Sequence, residues 1–230
     1  MWKWRPFYLV IPVVAPLLAH PAAAMTDLQK SLEETACMKA DQPYDKRVQY
    51  CSDVIESIYD DWKTGTHPRT KEGLRFVASL LASRAIAYER KGDLKNTIAD
   101  LNEAIKDSPD FEYSYRANLC QAKLRWGGDV ASALEDCNAV LHLTSDKFWI
   151  AQALEYRGYA YVLLSKFPEA LADFNLALTT DAQPNFHALA VYCRGMLKRR
   201  AGDSAGAEAD LAFARKNFPQ IGTWAKCDAP

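Results

Sequence analysis

The stretch Arg157–Leu178, RGYAYVLLSKFPEALADFNLAL, decides the fold of this chain. The stretch 73 residues earlier, Arg84–Ile105, reads RAIAYERKGDLKNTIADLNEAI and repeats its arginine, small, tyrosine and acidic positions at the same offsets. A third copy starts at Arg194, 37 residues after the second, and a looser copy at Asn118–Leu141 lies between the first two. A period of 36 or 37 residues is typical of stacked supersecondary units that bury a continuous core together.

Each copy consists of two apolar segments of helical period that are separated by a short turn. A helix, a tight turn and a second helix predict an α-hairpin. We expect larger side chains to fill the space between successive hairpins, namely Tyr88, Tyr161, Leu101, Phe174 and Leu211. The four turns are KGD at Lys91–Asp93, GGD at Gly127–Asp129, SKFPE at Ser165–Glu169 and AGD at Ala201–Asp203. The positions expected to let the two helices approach are small: Ala85, Cys120, Gly158 and Gly195 in the first helices, and Thr97, Ala133, Ala170 and Ala207 in the second.

An arginine and an aspartate recur 16 residues apart in three of the copies. The pairs are Arg84 and Asp100, Arg157 and Asp173, and Arg194 and Asp210. If the hairpin brings the two positions together, each pair ties the two helices of one unit. Asp136 in the looser copy lacks this partner, because Leu119 and Cys120 occupy the equivalent place.

The segments NLCQAK, RGYAY and EALADFNLAL are similar to the tetratricopeptide repeat, whose pattern is W-x2-L-G-x2-Y…A-x3-F…P. The resemblance covers about residues 78–219, with departures such as Lys123 and Lys198 at the tyrosine position. It implies an all-α fold, a right-handed solenoid of stacked antiparallel helix hairpins, with four repeats in residues 71–219. In this family the first helices line a concave groove that binds peptides. By position, the implied groove residues are Ile86, Arg90, Asn118, Gln121, Arg125, Gln152, Tyr156, Tyr159, Tyr192, Met196 and Arg199. The alternative for the tyrosines is packing between helices.

The segments that flank the array are predicted to cap it. Residues 25–70 read as a degenerate repeat or capping hairpin, with helices at Leu28–Met38 and Tyr44–Ile58 and a linker at Thr64–Thr70. Residues 220–230 read as a C-terminal cap, in which Ile221 and Trp224 cover the last hairpin. Atypical terminal units are expected in solenoids.

Residues 1–24 have the pattern of a signal peptide. Lys3 and Arg5 precede a mostly apolar run at residues 7–19, and small residues follow at Ala22 and Ala24. The pattern predicts cleavage after Ala24 and export, in a bacterium to the periplasm, with no stable membrane span afterwards. The apolar run is shorter than the roughly 20 residues that a membrane helix needs. An uncleaved anchor is the alternative.

The six cysteines favour disulfide bonds over a metal site. An even number of cysteines fits an oxidising compartment, and no CxxC or zinc-site spacing with histidine occurs. In the hairpin layout the neighbours are Cys37 with Cys51, Cys120 with Cys137, and Cys193 with Cys227. Six cysteines allow 15 connectivities, and free buried thiols are the alternative.

The composition and motifs predict a binding protein rather than an enzyme. Lys and Arg number 28 against 29 Asp and Glu, a balance that gives no footprint for nucleic acid. Because no nucleophile elbow, phosphate loop or metalloprotease motif occurs, we expect no catalysis, cofactor or metal. The sequence predicts an exported scaffold that binds a protein or peptide in its groove, in envelope assembly or secretion. A structural or oligomerising subunit that uses its convex face or caps is the main alternative, and an enzyme or cofactor binder with its site in the groove is the other.

Overall fold

The computed structural model describes residues 37–39, 42–181 and 187–227, which form nine α-helices and two 3₁₀ turns without a β-strand. The chain is therefore all-helical, as predicted. None of these described helices is long and apolar enough to cross a membrane. The 3₁₀ turns are Pro109–Phe111 and Ile221–Thr223. The helices are α1 Tyr44–Thr64, α2 Lys71–Arg90, α3 Leu94–Asp107, α4 Glu112–Arg125, α5 Val130–Leu143, α6 Lys147–Leu163, α7 Phe167–Thr180, α8 Ala188–Arg200 and α9 Ser204–Asn217.

The chain divides into two compact units, Met1–Tyr115 and Arg116–Pro230, with the boundary inside α4. In the first unit α2 packs against both α1 and α3. In the second unit α6 packs against α5, α7 and α8, and α8 packs against α9. Neighbouring helices are thus packed in pairs, and each unit buries its own apolar residues. Among these are Ile55, Val77, Leu80 and Leu101 in the first unit, and Val162, Phe174, Leu197 and Leu211 in the second.

The turns within the hairpins share one local design. A glycine with positive φ ends the first helix, and an aspartate then caps the second helix through backbone N–H groups. Glycine suits this position because a left-handed backbone costs it no Cβ clash. In the SKFPE turn, Ser165 adopts φ 58° instead and Pro168 lies in the first turn of α7. The glycine and aspartate pairs are Gly92 and Asp93, Gly127 and Asp129, and Gly202 and Asp203.

The predicted arginine–aspartate pairs are confirmed, and each reaches a third helix. Arg157 donates from Nε and Nη2 to the two oxygens of Asp173, at 2.7 and 2.8 Å. Its remaining Nη1 donates to Asn138 Oδ1 on α5, the second helix of the preceding hairpin, at 3.0 Å. Arg84 and Arg194 form the same three contacts, with Ser52 and Asn175 as their third partners. The arginine therefore joins its own hairpin to the preceding one.

Asp136 also has cationic partners, which corrects the expectation that it lacks one. Lys123 Nζ lies 2.6 Å from one carboxylate oxygen, and Arg116 Nη1 lies 2.9 Å from the other. Arg116 stands one helical turn before Cys120, so the arginine has moved along α4 while the cysteine takes its place. Lys198, the other lysine at a tyrosine position, likewise contacts Asp210 at 2.9 Å.

Phe174 packs inside its own hairpin, in addition to any role between hairpins. A Cβ added to Gly158 would lie 2.7 Å from Phe174 Cε1, closer than any real contact. Phe174 is fully buried. The glycine is therefore the residue that lets α6 accept this ring.

The flanking segments differ in extent from the prediction. Helix α1 continues six residues beyond Ile58, because no helix breaker occurs before Gly65, where φ is 75°. The linker consequently begins at Gly65. Cys37 and Met38 lie in a turn, so the predicted helix does not extend to Met38. The signal peptide and the rest of that helix lie outside the described residues.

All six cysteines form disulfide bonds, and none of them is free. The pairs are Cys37 with Cys51, Cys120 with Cys137, and Cys193 with Cys227. The second pair joins α4 to α5, and the third joins α8 to the C-terminal segment. The predicted three disulfides between neighbours are confirmed.

Candidate functional site: the tail face of the second unit

The C-terminal segment, residues 221–227, folds back onto the first helices of the second unit. We call this segment the tail. Ile221, Ala225 and Cys227 are buried in the same apolar cluster as residues of α6 and α8. The tail therefore does more than cover the last hairpin, because its contacts extend over α4, α6 and α8.

Trp224 lies between two residues that the sequence assigned to the groove. Its ring meets the ring of Tyr159 on α6 edge to face, with centroids 6.1 Å apart and planes at 83°. The guanidinium of Arg125 on α4 lies 5.0 Å from the centroid of the Trp224 ring. Both geometries are favourable, since an aromatic ring has a negative face and a positive edge. Trp224 thus connects α4 and α6.

The main chain of the tail makes its own contacts with α6 and α8. The Lys226 N–H donates to the Tyr159 hydroxyl at 3.1 Å. Burial raises the pKa of Tyr159, which the Lys226 hydrogen bond opposes, so the hydroxyl stays protonated at neutral pH. The tail passes so close to Tyr192 that a Cβ on Gly222 would lie 3.0 Å from the tyrosine oxygen. The surface made by Arg125, Tyr159, Tyr192 and Cys193, to which the tail docks, is called the tail face below.

Three further predicted groove residues form a buried amide cluster on α4 and α6. Gln152 Nε2 donates to Gln121 Oε1 at 3.2 Å, and these two residues are only 8% and 7% exposed. Asn118 Oδ1 and Gln152 Oε1 are buried without a hydrogen-bond partner within the described part of the chain. An unpaired buried acceptor costs about 1–3 kcal/mol, so these oxygens favour a rearrangement that supplies a donor.

The other predicted groove residues are distributed over both units. In the second unit Tyr156 is half-buried, Met196 is buried in the apolar cluster, and Arg199 is exposed with Nη2 3.2 Å from Met196 Sδ. In the first unit Ile86 and Arg90 on α2 are half-buried. The partner-binding role of the eleven residues stays a prediction.

A buried ionisable cluster fixes the start of α8. His187, which is 1% exposed, lies 3.3 Å from Glu155 Oε2 through Nδ1 and 3.3 Å from Asp181 Oδ2 through Nε2. The other Glu155 oxygen accepts the Ala190 N–H at 3.0 Å, so a side chain of α6 caps α8. Burial lowers the pKa of His187, but Glu155 and Asp181 raise it by more, and the net shift is upward. The cluster is structural, since it is enclosed by α6 and α8.

The first unit contains a cavity that the sequence reasoning missed. Its volume is ≈ 570 Å³, and it lies between the last two turns of α1 and the helices α2 and α3. Burial and nearby carboxylates raise the pKa of Tyr59, on its wall, to about 12. The only available signal was the continuation of aromatic residues past Ile58. The cavity is lined by Tyr59, Trp62, Lys63, Arg69, Leu81, Arg84, Ala99, Asp100 and Glu103.

The comparisons with known proteins assign no family. No protein-family model and no curated protein matches this sequence. The function is therefore argued from the residues and their geometry alone.

Proposed function

We propose that this chain is an exported, non-catalytic scaffold that binds a segment of a protein or a peptide through the first helices of its hairpins. The repeat pattern and the helix pairs support a tetratricopeptide-like solenoid as its fold. Three disulfide bonds support an oxidising compartment, because such bonds persist there and are rare in the cytosol. With the signal pattern at residues 1–24, this favours the bacterial periplasm, and envelope assembly or secretion as the process.

One observation carries the binding role: the first helices of the second unit already hold a peptide segment. The tail docks on α4, α6 and α8 through an aromatic side chain, a main-chain hydrogen bond and a close glycine contact. These are the interaction types that anchor peptides in protein grooves. Tyrosine and arginine, which dominate binding hot spots, make most of these contacts.

In-cell photo-crosslinking tests this role. A benzophenone amino acid replaces Arg199, which is exposed on the first helix α8, in one strain. In the matched control strain it replaces Leu176, which is 50% exposed on the second helix α7. We expect a discrete adduct with another protein from position 199 and none from position 176.

Two results would argue against the proposal. Adducts from position 176 alone would favour a subunit that assembles through the opposite side of its hairpins. Adducts between copies of this chain alone would favour an oligomerising subunit. Mass spectrometry of the adducts distinguishes these outcomes and names the partner.

A further inference from the structure

We infer that the partner of the tail face is a protein segment with an aromatic side chain, preferably tryptophan, and that the tail competes with it for the same place. This inference rests on the proposed function and specifies the ligand of that site. The tail serves as the internal counterpart of the ligand, so its contacts describe what the face recognises.

The first recognition element is the aromatic position. Arg125 and Tyr159 contact the Trp224 ring from α4 and α6. Cations prefer the face of tryptophan over those of tyrosine and phenylalanine. An aliphatic side chain of equal size would keep the buried area and lose both directed interactions, so the face discriminates in favour of an aromatic residue.

The second recognition element is a main-chain donor two residues after the aromatic position. The Tyr159 hydroxyl accepts this N–H from Lys226. A main-chain donor carries no side-chain information, so it fixes the register of the segment rather than its sequence. The close approach of Gly222 to Tyr192 adds a preference for a small residue two positions before the aromatic one.

The disulfide between Cys193 and Cys227 makes the tail a tethered competitor. Because Cys227 stays attached to α8, Trp224 remains within a few residues of its place even when it swings out. A short tether of this kind gives an effective concentration in the millimolar range. The affinity for a partner is reduced by the fraction of molecules in which the face is occupied. Only a segment that contacts more of α4, α6 and α8 than the tail does can therefore displace it.

A labelled peptide with the sequence of residues 220–226, QIGTWAK, tests the inference by fluorescence anisotropy on the full chain. The variant Trp224→Ala removes the competing ring and keeps the disulfide. Thr223→Ala is the matched control, since Thr223 is exposed and its hydroxyl bonds only to Gln220 O in the adjacent turn. Aromatic pairing and cation–π attraction together correspond to about a tenfold change in a dissociation constant.

We expect the peptide to bind Trp224→Ala at least tenfold more tightly than the unaltered chain or Thr223→Ala, and the peptide QIGTAAK to bind none of them. Equal binding to all three proteins, or no binding to Trp224→Ala at 1 mM peptide, would overturn the inference. If Trp224→Ala does not fold, hydrogen exchange on the unaltered chain decides. Excess QIGTWAK must then accelerate exchange of the amides in residues 221–226, and unchanged exchange would overturn the inference.

This experiment fails independently of the crosslinking experiment. A crosslinked partner at position 199 together with no peptide binding would retain the scaffold and remove the aromatic ligand. Peptide binding without any crosslinked partner would retain the recognition by the tail face and reduce the tail to a structural cap.

Discussion

Replacing Gly158 by alanine tests the helix contact on which the hairpin fold depends. The added methyl group would lie 2.7 and 2.9 Å from two carbons of the Phe174 ring, which is fully buried. Overpacking a core in this way costs about 1–3 kcal/mol. Alanine in place of glycine inside a helix contributes about 0.8–1.0 kcal/mol in the opposite direction. The balance predicts a net loss of about 1 kcal/mol in the free energy of unfolding, measured by urea titration with circular dichroism.

The sign of this change decides the argument. If the two helices did not meet at Gly158, alanine would stabilise the chain by about 1 kcal/mol through helix propensity alone. A stabilised Gly158→Ala variant would therefore refute the contact.

A double mutant provides the control. Phe174→Leu makes room for the methyl group, and the first hairpin already combines Ala85 with Leu101 at the equivalent positions, both buried. We expect the double variant Gly158→Ala, Phe174→Leu to be more stable than the sum of the single changes by roughly 0.5–3 kcal/mol. Additive changes would contradict a direct contact between the two positions.

Three further predictions concern the charges and the disulfides. Because the folded pKa of His187 lies above its unfolded value of 6.5, its contribution to stability is complete below pH 6.5 and is lost as pH rises through the folded pKa; His187→Gln should flatten this part of a urea-midpoint profile between pH 6 and 9. Asp173→Ala leaves a half-buried arginine without its main partner and should cost about 3 kcal/mol, against about 1 kcal/mol for Asn138→Ala, which removes only the third contact; equal losses by urea unfolding would contradict the network. Native protein should contain no titratable thiol, and replacing both cysteines of the 193–227 bridge by alanine should lower the free energy of unfolding by roughly 4 kcal/mol, the loop entropy of a closure over 34 residues; an unchanged thermal midpoint would remove the bridge from the account.

The helices and their pairing could be predicted from the sequence because the repeat states each contact several times. Arg157 and Asp173 lie 16 residues apart in one copy, and the same spacing in two other copies distinguishes a contact from coincidence. The glycine–aspartate turns likewise repeat a local rule, in which a left-handed residue is followed by a helix cap. Local chemistry of this kind is visible in one dimension.

The partners of Asp136 could not be predicted from the same rule. The second copy spends the arginine position on Cys120, and the compensating cation stands at Arg116, outside the repeat register. Position-by-position comparison therefore finds a missing partner where the folded chain has two. A search of α4 for any cation within one turn would have found Arg116.

The docking of the tail was beyond the reach of the sequence pattern. Trp224 meets Tyr159 and Arg125, which precede it by 65 and 99 residues, and no repeat registers such a contact. The sequence indicated that the tyrosines either line a groove or pack between helices. Tyr159 instead packs beneath a segment that follows the array, because a chain with a buried tyrosine hydroxyl needs a partner for it, and Lys226 N–H is that partner.

The most direct test of the account is where the tail lies in the absence of any partner. A benzophenone amino acid in place of Trp224 is irradiated in the purified full chain, and the intramolecular adducts are located by mass spectrometry after digestion. The account predicts adducts within α4 and α6, around Arg125 and Tyr159. Adducts confined to α8 and α9 would contradict it, because the tail would then cap the last hairpin alone and leave the tail face without its ligand.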